Sequence, residues 1–253
     1  MINPLDKTFP ISIIVPTRPG WSQGFRRFLN SIFSKAKDPN NVQVVVKIDH
    51  DDPDTFDVYK EYRSHFNIVS IIMDGSMKYR GIPDYTNTLA WNSSGRILWW
   101  LSDEIRIETQ DWDQILIKHT ENWVDKNASF YVTLDGKPRC AYYPIVTRKL
   151  VSTIGRFTGH IAIDSYMDIV TGPLRQNRLA GEGLIPIDIH HDSAAGQIVA
   201  PKGVTKAEAI VQNVLVQKDE AMRKQHPFWM DMNEPEVKEI FHGTAKALLE
   251  DSK

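Results

Sequence analysis

Cysteine is almost missing from this 253-residue chain, Cys140 being the single one. One thiol can form neither an intramolecular disulfide nor a multi-cysteine zinc site, which fits a reducing compartment and leaves a catalytic thiol as a minor option. An excess of one charge is also lacking, since 30 Lys and Arg face 32 Asp and Glu and the formal net charge is −2. Without a basic surplus to neutralise phosphates, no nucleic-acid partner is expected. Long hydrophobic runs are absent too: none approaches the ~18 residues needed to span a bilayer, and Met1 to Pro10 has no apolar signal core. The expected location is the cytoplasm, although peripheral membrane contact through a surface helix would escape this test.

What is present is the makeup of an ordinary globular protein, 42% hydrophobic and 25% charged. That suffices for one large α/β domain. No Gly/Ser linker, repeat or low-complexity segment divides the chain. Lys202-Gly203 is the best boundary, separating a main domain (1–203) from a helical extension (204–253) packed on it. Thr205 to Glu208 has capping-box spacing ahead of an amphipathic stripe that reaches Met222, and a second helix is expected over Pro235 to Leu249.

Ile11 to Val15 reads as a buried strand that stops at Pro16-Thr17-Arg18-Pro19-Gly20. After Ser22, a candidate N-cap, Phe25, Phe28, Leu29, Ile32 and Phe33 recur at helical spacing. Val42 to Ile48 predicts a second central strand, followed by the polar cluster Asp49 to Asp54 and a helix over Thr55 to Phe66. A strand over Ile68 to Met73, a helix over Pro83 to Asn92 and a strand over Ile97 to Leu101 continue the alternation, which argues for a mainly parallel sheet. Further on, a helix over Asp111 to Lys126, strands over Phe130 to Leu134 and near Cys140 to Tyr143, and a helix over Thr147 to Ile154 are expected.

Parallel sheets carry their working loops at the carboxyl ends of the strands. Three polar clusters fall there: Thr17-Arg18, Asp49 to Asp54, and Ser102-Asp103-Glu104. Asp103 and Glu104 emerge straight from an apolar strand, so they need a partner. A divalent cation supplies one, because Mg²⁺ or Mn²⁺ takes one or two carboxylates and fills its shell with phosphates and water. An ion pair with Arg80 or Arg106 is the structural alternative. His190-His191-Asp192 is a second candidate metal group, of which one histidine faces a given site because neighbours on a strand point to opposite faces.

Pro16-Thr17-Arg18 after the first strand, Asp49 after the second, Arg80-Gly81 with Asn87-Thr-Leu-Ala90, and Gly95 to Glu104 resemble, in order, the signatures of the family 2 glycosyltransferases. The likeness covers roughly residues 10 to 192. It implies the GT-A fold, a Rossmann-like parallel sheet flanked by helices, with C-terminal helices added here. It also implies transfer of a sugar from a nucleotide diphosphate donor of UDP or GDP type to a glycan or other hydroxyl acceptor, with inversion. The donor site it implies comprises Pro16, Thr17, Arg18, Asp49, Arg80, Gly81, Asn87, Ser102 and Asp103, with Thr17 and Asp49 at the base. Ser102-Asp103-Glu104 stands where the family has its Asp-x-Asp motif, so Asp103 and then Glu104, with His190, are the implied ligands of Mn²⁺ or Mg²⁺. Asp164, 26 residues before His190, matches the family's general base, with Asp168 as competitor.

Other readings are a nucleotidyltransferase, which would want a more Gly-rich first loop, and a phosphohydrolase built on Asp49-His-Asp51. A non-catalytic nucleotide-sugar or carbohydrate binding module, its metal motif degenerate, is the alternative from another class. Trp99 and Trp100 on a strand and Trp91 on a helix are expected to serve packing.

Overall fold

β1 (Phe9–Pro16) is apolar on both faces and therefore takes the interior of a sheet, with Ile11, Ile13, Ile14 and Val15 fully enclosed. The computed structural model describes residues 8–74, 81–138, 143–159, 163, 166, 167, 170, 171 and 183–192. Through them run α1 (Ser22–Lys35), β2 (Val42–Asp49), α2 (Pro53–Arg63), β3 (Ile68–Met73), α3 (Ile82–Trp91) and β4 (Gly95–Trp100). There follow β5 (Ile105–Ile107), α4 (Trp112–Thr120), β6 (Ser129–Leu134), β7 (Lys137–Pro138), β8 (Ile145–Thr147), α5 (Arg148–Ile154) and β9 (Leu184–His191).

The strands lie in the order β3-β2-β1-β4-β8-β6-β9-β5, with β7 beside β6. The first four are parallel. Beyond β4 the sheet turns mixed: β8 is antiparallel to both β4 and β6, β9 runs parallel to β6, and β5 is antiparallel to β9. Strand alternation sorts the core into two layers. Ile13, Val15, Val44 and Val46 meet Phe25, Phe28 and Ile32 of α1, Val58 of α2 and Trp112 of α4, whereas Ile14, Val45 and Leu98 meet Leu89 of α3 and Leu150 of α5.

Several local expectations shift. Trp21, not Ser22, holds the N-cap position of α1, and Asp52 caps α2 by accepting from Thr55 N at 3.3 Å. α4 ends at Thr120 rather than Lys126; its hydroxyl turns back onto Leu116 O at 2.8 Å. β5 and β8, three residues each, are too short to leave a period in the sequence. The return from β6 is a tight hairpin through Asp135 (φ 52°) and Gly136 (φ 69°), so the next strand begins at Lys137. Residues 139–142, Arg80, Asp164, Asp168 and the whole extension 204–253 lie outside the described residues. Trp99 is buried as expected, but Trp91 is 52% exposed and packing does not account for it.

Candidate active site

β1, β2 and β4 run in one direction and deliver their final residues to one edge, where each chain leaves the sheet without a partner strand to continue. Thr17 is stitched to β2 twice, through its backbone N–H (3.1 Å) and its hydroxyl (2.7 Å), both donating to Lys47 O. That fixes the direction in which Arg18 departs. Arg18 then crosses to the end of β4: its backbone N–H donates to Asp103 Oδ2 at 3.3 Å, its Nε lies 3.8 Å from Asp103 Oδ1, and its guanidinium pairs with Glu104 Oε1.

The Arg18 guanidinium also sits over the Trp21 indole, 4.6 Å from the ring centre. The indole in turn lies against Gly24, where a Cβ would fall 1.8 Å from Trp21 Nε1, so glycine is what lets the ring lie flat there. Arg18 is therefore the cation that Asp103 and Glu104 meet. Of the two arginines named from sequence, Arg106 goes instead to Asp192 (2.8 Å), and Arg80 lies outside the described residues.

Asp103 is 4% exposed. Burial pushes its carboxyl up to about 7, against the opposing pull of the Arg18 charge. Glu104 goes the other way: burial would raise it, but the His191 hydrogen bond and Arg18 outweigh that and hold it below the usual carboxylate range. His191 Nε2 stands 3.0 Å from Glu104 Oε2, and that bond raises the imidazole above its ordinary value. Of the adjacent pair it is thus His191 that reaches the acidic cluster. His190 faces the hairpin, with Nδ1 2.6 Å from Asp135 Oδ1.

Asp49 ends β2 with its carboxylate 1% exposed and paired with the ammonium of Lys47 on the same face of the strand. Gly81 opens α3 against the Tyr85 ring, where a Cβ would clash at 2.3 Å. Asn87 is spent on the backbone of 157–158: its amide donates to Thr158 O (2.8 Å) and accepts from Phe157 N (2.8 Å) and Thr158 N (3.0 Å). Pro16 and Ser102 flank Thr17 and Asp103 at the strand ends.

The acidic pair has the donor chemistry of a site for a hard divalent cation. Two carboxylates beside an imidazole suit Mn²⁺ or Mg²⁺, and such ions need only one or two protein carboxylates when a substrate phosphate completes the shell. Among the described residues no three His, Cys, Asp or Glu side chains gather into a cage of their own. The residues fit a substrate-completed site rather than a self-sufficient one. Sequence reasoning overlooked Lys47, Trp21 and the choice of His191; only Lys47 left a signal, lying two residues before Asp49 and so on its face.

The same architecture occurs in solved structures. S. aureus TarS 1–349 superposes with a TM-score of 0.57 at 12% identity, covering 96% of this chain and 80% of that one. The same protein in complex with UDP gives 0.54 at 13% identity over 72% and 60% of the two chains. The mannosyltransferase PcManGT from Pyrobaculum calidifontis, in complex with GDP-Man and Mn²⁺, gives 0.54 at 14% identity over 99% and 76%. The chain spans 54% and 60% of the TarS structures with UDP-GlcNAc and with UDP. The fold is accordingly the glycosyltransferase-type α/β fold, with a mostly parallel central sheet flanked by helices. No protein-family model and no curated protein matches the sequence. Among the described residues no helix is long and apolar enough to cross a membrane.

Proposed function

We propose that this chain is a glycosyltransferase that takes its sugar from a nucleotide diphosphate donor and passes it to an acceptor hydroxyl. The observation that supports it is the meeting of Thr17-Arg18, Asp49 and Asp103-Glu104 at one sheet edge, in a fold that a mannosyltransferase with GDP-Man and Mn²⁺ also has. Asp49 reads the base from the end of β2. Thr17 and Gly81 border it, and Arg80 belongs to the donor site by its place in the sequence. Asp103 and Glu104 would hold Mn²⁺ or Mg²⁺ together with the donor diphosphate, and the ion would supply positive charge to the leaving group. Arg18, on its Trp21 platform, supplies a further positive charge beside the same carboxylates.

Asp164 is the proposed base for the acceptor hydroxyl, with inversion at the anomeric carbon. A base acts in the transition state and contributes little to holding the donor. Asp164→Asn should therefore cut kcat by roughly 10² to 10⁴ with donor affinity nearly intact, and Asp168→Asn should be far milder.

The reading is tested by thermal shift with nucleoside diphosphates, with and without Mn²⁺, followed by metal-dependent hydrolysis of the matching nucleotide sugar. A ligand that binds only the native state raises its stability by mass action. No response to any nucleotide refutes the reading. The Arg18–Glu104 pair favours one second reading, a donor-binding module in which arginine has taken over the cation's place. Tight nucleotide binding with no hydrolysis or transfer would establish it.

A further inference from the structure

The sheet ends on one side in β5 and on the other in β3, and the two edges are finished differently. An edge strand exposes unpaired backbone groups, and proteins ordinarily blunt it with charge, with proline or with a cover. β5 has both charge and a cover. Arg106 and Glu108 stand on it and just after it, Ile107 N donates to Ser31 Oγ of α1 at 3.1 Å, and Lys35 Nζ of α1 donates to Glu108 O at 3.1 Å. β3, Ile-Val-Ser-Ile-Ile-Met, has neither charge nor proline.

The ladder with β2 decides which backbone groups of β3 are spare. Val44 N donates to Asn67 O (2.9 Å) and His50 N to Met73 O (3.0 Å), and the register between them is unbroken, so 67, 69, 71 and 73 turn their backbone groups to β2. Ile68, Ser70 and Ile72 turn theirs outward. Ile68 N is taken by Phe66 O at 3.0 Å, but among the described residues nothing takes the N–H of Ser70 or Ile72. Nor does α2 close this edge. Ile72 shares a face with Ile68, which packs with Val58 and Tyr59 of α2, and is nevertheless 49% exposed.

Such an edge is complementary to itself. A two-fold axis through Ser70, perpendicular to the sheet, sets a second β3 antiparallel to the first and pairs Ser70 with Ser70 of the second copy through both backbone bonds. Ile72 N–H then reaches Ile68 O of the second copy, and the reverse, so that each exposed Ile72 side chain is covered by an Ile68. No like charges meet along the strands. The axis also lays α2 antiparallel to its copy on one face of the joined sheet. Its exposed Asp54 and Asp57, towards the amino end, come level with Lys60 and Arg63 of the second copy, towards the carboxyl end.

We propose that the outer edge of β3 is a dimer interface and that its partner is a second copy of this chain, the two sheets continuing into one through Ser70 and Ile72. The carboxyl ends of β1, β2 and β4 then open at opposite rims of the joined sheet. Both candidate sites stay accessible.

Sedimentation equilibrium of the full chain over a wide range of concentration tests the pairing. The unaltered protein should approach twice the mass of one chain as concentration rises. Ile72→Lys puts a charge at an exposed position of the edge and should weaken dimerisation at least about tenfold. Ser70→Pro removes an outward N–H and no bond to β2, and should leave monomers. Hydrogen exchange on the unaltered protein needs no substitution: the amides of Ser70 and Ile72 should gain protection as the dimer forms, while those of Val69 and Ile71, turned to β2, stay protected throughout. A chain monomeric at every concentration overturns the proposal. So does a dimer that Ile72→Lys leaves intact, or one whose formation does not slow exchange at Ser70 and Ile72. Should Ser70→Pro fail to fold, exchange and Ile72→Lys decide between them.

Discussion

The two ends of the parallel strands are built on opposite principles. At the amino end the polar groups are mostly neutral and bonded to one another: Ser12 Oγ donates to Gln43 Oε1 at 2.6 Å and accepts from Gly95 N at 2.8 Å, while Ser94 N donates to the same Gln43 oxygen at 2.8 Å. Half-buried Arg148 spends its guanidinium there on carbonyls, reaching Ala90 O (2.9 Å), Ser93 O (2.9 Å) and Gly95 O (3.0 Å) at the end of α3 and the start of β4. A positive group at a helix C-terminus is favoured by the helix dipole as well. At the carboxyl end the groups are carboxylates gathered against one another, Asp103 beside Glu104, and held by arginine, lysine and histidine. The first arrangement serves the fold. On the function proposed above the second keeps charge in place for a ligand, and burial of Asp103 makes its ionised form costly.

If that contrast is right, the largest loss of stability comes from the end without chemistry. Arg148→Ala would take the guanidinium donors from the carbonyls of Ser93 and Gly95, while Ala90 O keeps the Ser93 hydroxyl at 2.7 Å, and a buried acceptor left unpaired costs about 1 to 3 kcal/mol. A net destabilisation on the order of 3 kcal/mol is expected in urea melts, with the nucleotide affinity of the folded fraction unchanged. Gly95→Ala damages the same end differently, since the new Cβ would lie 2.3 Å from Ser12 N. Loss of nucleotide affinity in Arg148→Ala would erase the distinction between the two ends.

The next effect has the opposite sign. A carboxyl raised from its ordinary 3.8 to about 7 favours the native state when protonated. Its contribution is therefore present below the unfolded value and is lost as pH climbs through the folded one. Asp103→Asn does not titrate. Measured without metal, its stability relative to the parent should rise between pH 4 and pH 7, by at most about 4 kcal/mol, and then level off. His191 and Glu104 titrate in both proteins, so their contributions largely cancel in the difference. A difference that stays flat with pH would show that Asp103 is adequately compensated by Arg18 and carries no latent charge for a ligand.

How much of this was legible beforehand follows from the length of each signal. β1, β2 and α1 carry apolar patterns long enough to reveal their period, and the polar residues at the strand ends are read by counting from the last buried one. The mainly parallel α/β alternation and the meeting of Thr17, Arg18, Asp49, Asp103 and Glu104 at one edge were accessible in this way, while the fold family came from the resemblance of the motifs at those strand ends. β5 and β8 were not, because three residues cannot display a period, and the antiparallel turn of the sheet beyond β4 depends on them. Partners were legible least. That Arg18 rather than Arg106 meets Asp103, that His191 rather than His190 reaches Glu104, and that Asn87 binds the 157–158 backbone are matters of three-dimensional register. They link residues 85, 87 and 71 positions apart in the chain.

The smallest stability effect, and the finest test of the contrast, belongs to Arg18. Its side chain is 43% exposed, so its pairs with Asp103 and Glu104 are partly screened by solvent and removing them should cost no more than about 1 kcal/mol. Its influence on ligands should exceed that. The guanidinium sits on both carboxylates that a divalent ion would use, so arginine and metal compete for the same oxygens until the diphosphate gives the guanidinium another anion to hold. Arg18→Met keeps an unbranched apolar stem and removes the charge that sits over Trp21. Mn²⁺ binding without nucleotide, followed by the loss of the free-ion electron spin resonance signal, should become roughly two- to fivefold tighter, the equivalent of ~0.5 to 1 kcal/mol of competition removed. Nucleotide diphosphate binding in the presence of Mn²⁺ should weaken instead, because a positive charge beside the phosphates is gone. Opposite movements of the two affinities would mark the carboxyl end as an exchange site for cations. Parallel movements, or none, would place Arg18 with the structural pairs of the amino end.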